Sequence, residues 1–210
     1  MEPTQYTSYL QLSFLLIAWC ILHSVMITKP VTEYIKQRLG GRFRFYRLFY
    51  NLMAIVTLVP IALFAHSLQT QALFSWSGFL RIGQLLLSGS SLLLFILGIR
   101  HYDARQFLGI RQFYGEKTEM GITSSGELDT TGILNVVRHP WYLSGILLVW
   151  SRDLDVSAIV VNVILSCYLI VGACLEEKKL IREFGEQYLS YQKRVSMLIP
   201  YKWLKAKMIT

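Results

Sequence analysis

Five consecutive residues, Arg138-His139-Pro140-Trp141-Tyr142, carry the densest potential chemistry in this chain. A guanidinium grips a carboxylate or phosphate with a planar two-pronged fork. An imidazole gives or takes a proton near neutral pH. Pro140 suits the first turn of a helix, where its missing N–H costs nothing. Arg138 and His139 then fall at the helix mouth, where free backbone N–H groups favour an anion. The same pair equally suits a helix anchored among lipid headgroups, and position alone does not choose. The second group is Glu176-Glu177, placed by the apolar run before it at a helix C-terminus. Acids there oppose the helix dipole, and an unfavourable placement suggests use. Ionised carboxylates accept hydrogen bonds from ribose hydroxyls or a ligand ammonium. The alternative is a solvated patch paired with Lys178, Lys179 or Arg182.

The elements that must position these residues are apolar. The chain is 53% hydrophobic and 16% charged, against about 25% charged in soluble domains. Apolar runs cover Leu10–Met26, Leu48–Phe64, Ile82–Ile99 and Val156–Leu175. Each is long enough, or nearly so, to span a bilayer. No Lys or Arg precedes Leu10 and no small-residue cleavage site follows Met26, so a spanning helix is expected there rather than a signal peptide. A further run, Trp141–Trp150, rises only about 15 Å at helical pitch and is too short to cross alone. With the Val156 run it reads as a hairpin turning at Ser151–Asp155, its first arm extended backward by Ile133–Val137. Ser88, Gly89, Ser90 and Ser91 form a small-residue patch suited to close helix packing.

Basic residues orient the chain. Residues 29–47, 100–138 and 178–207 hold nineteen of the twenty-one Lys and Arg, leaving only Arg81 and Arg152 elsewhere. The positive-inside rule puts those segments in the cytoplasm and the N-terminus outside. The hairpin brings the Arg138 helix start and the Glu176 helix end to that same face. Beyond them, Leu180, Ile181, Phe184, Tyr188 and Tyr191 repeat at helical spacing among charges, which predicts a C-terminal amphipathic helix on the membrane surface. The expected fold is an all-α integral membrane protein of about five transmembrane helices, the fourth and fifth a hairpin, plus that interfacial helix. It forms one domain over 1–210, with N-terminal helices and a cytoplasmic loop in 1–127 and a core in 128–200.

Other classes are disfavoured. The +8 net charge lies in blocks beside apolar runs, where anionic headgroups meet it, so nucleic acid is not an expected partner. Cys20, Cys167 and Cys174 sit within apolar runs without metal-ligand or redox spacing, and no metal is expected. Neither a dinucleotide-binding Gly-x-Gly-x-x-Gly after a strand nor a phosphate loop is present. His23 and His66, as histidines in membrane segments, are functional candidates. The Asp103–Gln112 stretch, with Asp103, Arg105 and Arg111, reads as a lid or a solvated loop.

Thr131-Gly132, Val137-Arg138-His139-Pro140-Trp141-Tyr142-Leu143-Ser144-Gly145 and Leu175-Glu176-Glu177 together resemble the isoprenylcysteine carboxyl methyltransferase-like superfamily of membrane enzymes. The likeness continues through Phe184-Gly185, Tyr188, Tyr191 and Met197-Leu198-Ile199-Pro200. Within the superfamily, His23-Ser24, Tyr46-Arg47, Tyr50-Asn51, Tyr102-Asp103 and Phe107–Gln112 are most similar to methanethiol S-methyltransferase-like proteins. A related membrane family tied to nitrogen-oxide metabolism shares much of the pattern. Many relatives carry Gly-Pro-Tyr or Gly-Leu-Tyr before Arg-His-Pro, whereas Gly132-Ile133-Leu134-Asn135 stands here.

The resemblance implies an S-adenosylmethionine-dependent methyltransferase of a bacterial inner membrane. It implies a cofactor pocket lined by Arg138, His139, Tyr142, Gly145, Glu176 and Glu177, closed by the hairpin and the C-terminal helix. Arg138, His139 and Glu177 are the expected catalytic residues, and His23, Tyr46, Asp103 and Arg111 the candidates for contact with a small or lipophilic methyl acceptor. Two other classes compete: a non-enzymatic membrane protein of the nitrogen-oxide type, and an NADPH-dependent membrane reductase.

Overall fold

The computed structural model describes residues 3–101, 108–114 and 128–209. Their regular structure is helical, with two isolated β-bridges and no strand among the described residues. The helices are α1 (Pro3–Met26), α2 (Lys29–Leu39), α3 (Tyr46–Ser67), α4 (Leu80–Ile99), α5 (Ile110–Phe113), α6 (Pro140–Trp150), α7 (Val156–Phe184), α8 (Glu186–Arg194) and α9 (Tyr201–Ile209). Short 3-10 turns occupy Gly40–Phe45 and Gly132–Asn135. Four stretches are long and apolar enough to cross a membrane: Gln5–Met26, Lys29–Ser67, Leu80–Ile99 and Val156–Phe184. Leu10, Phe14, Leu63, Leu85 and Leu92 are all exposed on these helices. So much exposed apolar surface suits lipid, not water.

The described residues form two compact units. The first holds those up to Leu73, those within 108–114, and Asp155–Ile164. Here α1 packs on α3 through polar contacts between apolar faces. Trp19 Nε1 donates to the Ala54 carbonyl at 3.2 Å and to Thr57 Oγ1 at 3.1 Å. The Tyr46 hydroxyl donates to the Met26 carbonyl at 2.6 Å. The Tyr50 hydroxyl lies 2.7 Å from His23 Nε2, and the His23 ring stacks on Trp19. Pro60 sits inside α3, tolerable where neighbours re-satisfy the freed carbonyl.

Asp155 starts α7 in this unit. Its carboxylate accepts from the Ala158 N–H at 2.7 Å and the Thr70 N–H at 2.9 Å, an N-cap that also ties down the loop after α3. Removing such a cap costs about 1–2 kcal/mol. Asp155→Ala is therefore expected to lower the thermal midpoint in detergent by several degrees, at roughly 2–4 °C per kcal/mol for a chain of this size. An unchanged midpoint would show that the cap contributes nothing.

The second unit holds residues 74–101, 128–154 and 165–209. Its centre is the antiparallel pair α4 and α6. Ser91 Oγ donates to the Ser144 carbonyl at 2.9 Å, and Ser144 Oγ returns a bond to the Ser91 carbonyl at 2.8 Å. Trp141 Nε1 donates to the Phe95 carbonyl at 3.1 Å. A Cβ built on Gly98 would lie 2.4 Å from the Trp141 ring, so this glycine admits the indole. Of the expected small-residue patch, Ser91 makes the interface, while Gly89 has nothing near its Cβ position and Ser88 bonds back to its own helix.

The hairpin runs the depth of α4. Trp141 lies beside Phe95, while at the other end Gln84 Nε2 donates to the Ser151 carbonyl at 2.9 Å. The tip is then held by Trp76, which donates to the Arg152 carbonyl and the Asp153 carboxylate, and by paired bonds between Phe74 and Leu154. Three sequence expectations change here. The first arm does not extend backward: Gly132–Asn135 is a separate 3-10 turn and α6 begins at Pro140. Glu176 and Glu177 do not end a helix, because α7 continues to Phe184. The C-terminal amphipathic stretch is broken at Gly185 (φ +53°), and its apolar side is covered by protein. Leu180, Tyr188, Tyr191 and Val195 form a buried cluster with Ile181 and Phe184 against it.

Candidate functional site

The site lies wholly in the second unit, where α6 starts, α7 passes and α8 folds back. Pro140 opens α6 at its first turn, as its fixed φ favours. That leaves Val137, Arg138 and His139 extended before the helix. Val137 pairs with Ser196 in a β-bridge. The Arg138 N–H donates to the Ser196 carbonyl at 3.0 Å and the His139 N–H to the Met197 carbonyl at 3.1 Å. The segment after α8 is thereby strapped across the mouth of α6. Lys202 reinforces the strap, its Nζ donating to the Gln192 carbonyl at 2.6 Å.

Side chains complete the network. Arg138 Nε donates to Glu177 Oε1 at 2.6 Å, with the Arg138 Nη2 also 2.6 Å from that oxygen. Arg138 Nη1 donates to the carbonyls of Val195 and Gln192. Glu177 Oε2 accepts from Gln192 Nε2 at 2.7 Å. The pair is buried, and each charge is met by its partner and by further hydrogen bonds, the condition under which buried ions are tolerated. Glu177 is balanced by this guanidinium, and because the helix continues to Phe184 the dipole argument for the acidic pair no longer applies.

His139 is the exception. It is 2% exposed. Its Nε2 lies 3.3 Å from Glu177 Oε1, but its Nδ1 is buried without a hydrogen-bond partner. The nearest acid to that nitrogen is Glu176 Oε2, at 3.7 Å. An orphaned buried polar atom is rare and calls for an explanation. It borders a narrow cleft whose walls include Glu176, Asp129, His101 and the rings of Phe184, Tyr188 and Tyr191. The cleft's volume is about 40 Å³, room for roughly a few water molecules.

His101 and Asp129 face this cleft together. His101 Nδ1 lies 2.7 Å from Asp129 Oδ2. Asp129 Oδ1 accepts from Thr131 N at 2.9 Å and Thr131 Oγ1 at 2.7 Å. Burial opposes the charge on Asp129, yet the bonds from His101 and Thr131 hold its carboxyl below the usual range. Gly132 follows with φ +52°, and a Cβ there would lie 2.7 Å from His101 Nε2. Both the backbone and the close approach require glycine.

The structure thus brings Arg138, His139, Glu176 and Glu177 into one network. Tyr142 meets His139 edge-on, with ring centroids 5.4 Å apart, and packs against Gly172. Gly145 packs against Leu169 on α7. His23 and Tyr46 are engaged between α1 and α3 in the first unit, and Arg111 lies on α5 of that unit. None of the three lines the cleft. Asp103 lies outside the described residues. The sequence reading missed His101 and Asp129 as site residues and placed Tyr188 and Tyr191 at the lipid surface. Gly132, a glycine just after an Asp-Thr-Thr turn sequence, was the available signal.

Four apolar helices and an Arg-His-Glu-Glu cleft define a multi-pass helical membrane protein with a polar site at one end of its hairpin. The model of the NnrU protein family matches residues 11–200, and the chain belongs to that family. It is 37% identical over 76 residues to the methanethiol S-methyltransferase of Pseudomonas deceptionensis, covering 36% of this chain and 29% of that protein. It is 34% identical over 104 residues to the one from Crocosphaera subtropica, covering 49% and 39%. It is 40% identical over 67 residues to methanethiol S-methyltransferase 1 of Bradyrhizobium diazoefficiens, covering 31% and 24%. The matches therefore span well under half the length of these relatives. No solved structure matches the chain.

Proposed function

We propose that this protein transfers a methyl group from S-adenosylmethionine to a small thiol, or another small lipophilic acceptor, at the cytoplasmic face of a bacterial inner membrane. The observation that carries the reading is the orphaned His139 Nδ1 beside the Glu176 carboxylate, in a cleft walled by aromatic rings. A nucleoside bearing a sulfonium and an amino acid needs an acid for its hydroxyls or ammonium, and π-faces for its base or cation. Glu176, Tyr188 and Tyr191 suit those needs, and His139 Nδ1 gains the partner it lacks. The concentration of Lys and Arg in the segments 29–47, 100–138 and 178–207 supports the orientation, and the names of the partial relatives support the reaction class.

Bound cofactor supplies an electrophilic methyl group on sulfur. The protein's part is then positioning. Arg138 and Glu177 hold the strap across the helix mouth and fix the His139 ring. Glu176 makes the ligand contact. Tyr142 and Gly145 seat α6 on α7 behind the site. The narrowness of the cleft means that a nucleoside is admitted only when a rim side chain such as Phe184, beside the Gly185 break, swings aside.

Calorimetry with S-adenosylhomocysteine on the detergent-purified protein tests this. The wild type is expected to bind with a dissociation constant on the order of micromolar. Glu176→Gln, which loses a charged acceptor, is expected to bind about 10- to 100-fold more weakly, from about 1.5–3 kcal/mol per charged hydrogen bond. A folded wild type that binds nothing would sink the reading. Binding of NADPH instead would point to a reductase, and binding of neither to a non-enzymatic membrane component.

A further inference from the structure

We propose that His101 and Asp129 are the proton-accepting pair for the methyl acceptor; this rests on the methyl-transfer reading above. The pair has the geometry of an oriented base. Asp129 Oδ2, 2.7 Å from Nδ1, holds the ring proton there, which leaves Nε2 as the basic nitrogen. Asp129 is fixed in turn by the two bonds from Thr131. Nε2 has no hydrogen-bond partner among the described residues, and it lies close against Gly132, where an added Cβ would come within 2.7 Å.

The pair shares its cleft with the groups that would hold the cofactor, so acceptor and donor would meet there. The other titratable or charged groups lining the cleft are Asp129, Arg138, His139, Glu176, Tyr188 and Tyr191, and Arg138 is held by Glu177. Burial pushes both phenols well above their usual range, so neither competes as a base. Glu176 is kept for the cofactor, and His139 Nε2 already faces Glu177. The step balances simply. His101 Nε2 takes the proton of the S–H group. The sulfur electron pair forms the new carbon–sulfur bond as the methyl–sulfonium bond breaks, its pair remaining on the departing thioether. The imidazolium, beside the Asp129 carboxylate, then releases its proton to water.

The test is thiol-dependent methyl transfer by the full chain in detergent, measured from pH 6 to 10, with methanethiol as acceptor. His101→Ala is expected to lose about 100-fold in turnover near neutral pH, the usual contribution of a positioned base. It should recover as pH rises and the thiol ionises unaided, and on addition of imidazole. Its affinity for S-adenosylhomocysteine should stay within about threefold of wild type. Asp129→Asn is expected to shift the pH profile the same way with a smaller loss, since the ring stays in place with its tautomer unfixed. If the wild type is active and His101→Ala keeps both its rate and its pH profile, the pair is not the base, although methyl transfer stands. A loss in His101→Ala that is the same at every pH and unaffected by imidazole overturns the proposal equally, because a purely structural tie behaves so. A wild type that binds the cofactor product yet methylates no thiol overturns both the thiol acceptor and the base assigned to it.

Discussion

Arg138→Ala is expected to destabilise the protein by about 3–5 kcal/mol, the cost of leaving a buried carboxylate without its partner. Glu177 would keep only Gln192 at 2.7 Å and the His139 ring at 3.3 Å. The carbonyls of Val195 and Gln192 would lose their shared donor. Glu177→Ala should cost as much, by stranding the guanidinium. The informative variant is the double replacement Arg138→Met with Glu177→Leu. Apolar residues of similar volume often match or exceed a buried ion pair in stability, so the double variant should melt closer to wild type than either single one. Thermal unfolding in detergent measures all three. A double variant that refolds and still binds S-adenosylhomocysteine assigns the pair to holding the strap. One that refolds without binding returns Arg138 and Glu177 to direct contact with the ligand. If Arg138→Ala melts with the wild type, the network around it is dispensable.

The contrast between neighbours Glu176 and Glu177 shows where sequence reading stops. Both were recognisable as misplaced acids after an apolar run. A helix turns about 100° per residue, so adjacent side chains diverge, one into the Arg138 network and one toward the cleft. Which goes where depends on the facing elements. The spanning helices α1, α3 and α4 were legible because lipid demands long unbroken apolar runs. The bounds of α3 and α4 differ from the runs by at most three residues, while α1 starts at Pro3, seven residues before its run. The continuation of α7 to Phe184 was hidden because hydropathy falls at Glu176 while helical periodicity persists. An apolar stripe carried by Leu180, Tyr188 and Tyr191 reads the same whether it meets lipid or protein. Only the strap at Val195, tied to Arg138, shows that protein covers it. Gly98 was passed over in favour of the more conspicuous Ser88–Ser91 patch, because the indole that needs it lies far away in sequence, at Trp141. His101 and Asp129 are likewise separated by 28 positions, and no local pattern announces such a pair.

Tyr188→Ala is the second large effect expected, at about 3–5 kcal/mol by analogy with other buried aromatic truncations. Tyr188 is 1% exposed and is the largest of the fully buried side chains. Its ring meets Tyr191 edge-on, with centroids 5.7 Å apart, and packs with Leu180 and Val195. This cluster is what holds α8 against α7 beyond the Gly185 break, and α8 carries Gln192 and leads to the strap. Truncation should therefore loosen the Arg138 network as well as the core. Tyr188→Phe separates the two contributions of the side chain. Burial keeps the phenol neutral, so the hydroxyl brings no charge and its loss should cost less than about 1.5 kcal/mol, the scale of one neutral hydrogen bond. Thermal unfolding, with proteolysis of the C-terminal segment as a local readout, distinguishes the outcomes. The alanine variant should expose the chain after Gly185 to cleavage well below its global midpoint, while the phenylalanine variant should not. If alanine is tolerated with the strap still protected, the hydrogen bonds of Arg138 hold α8 in place by themselves, and the aromatic cluster serves only as a wall of the cleft.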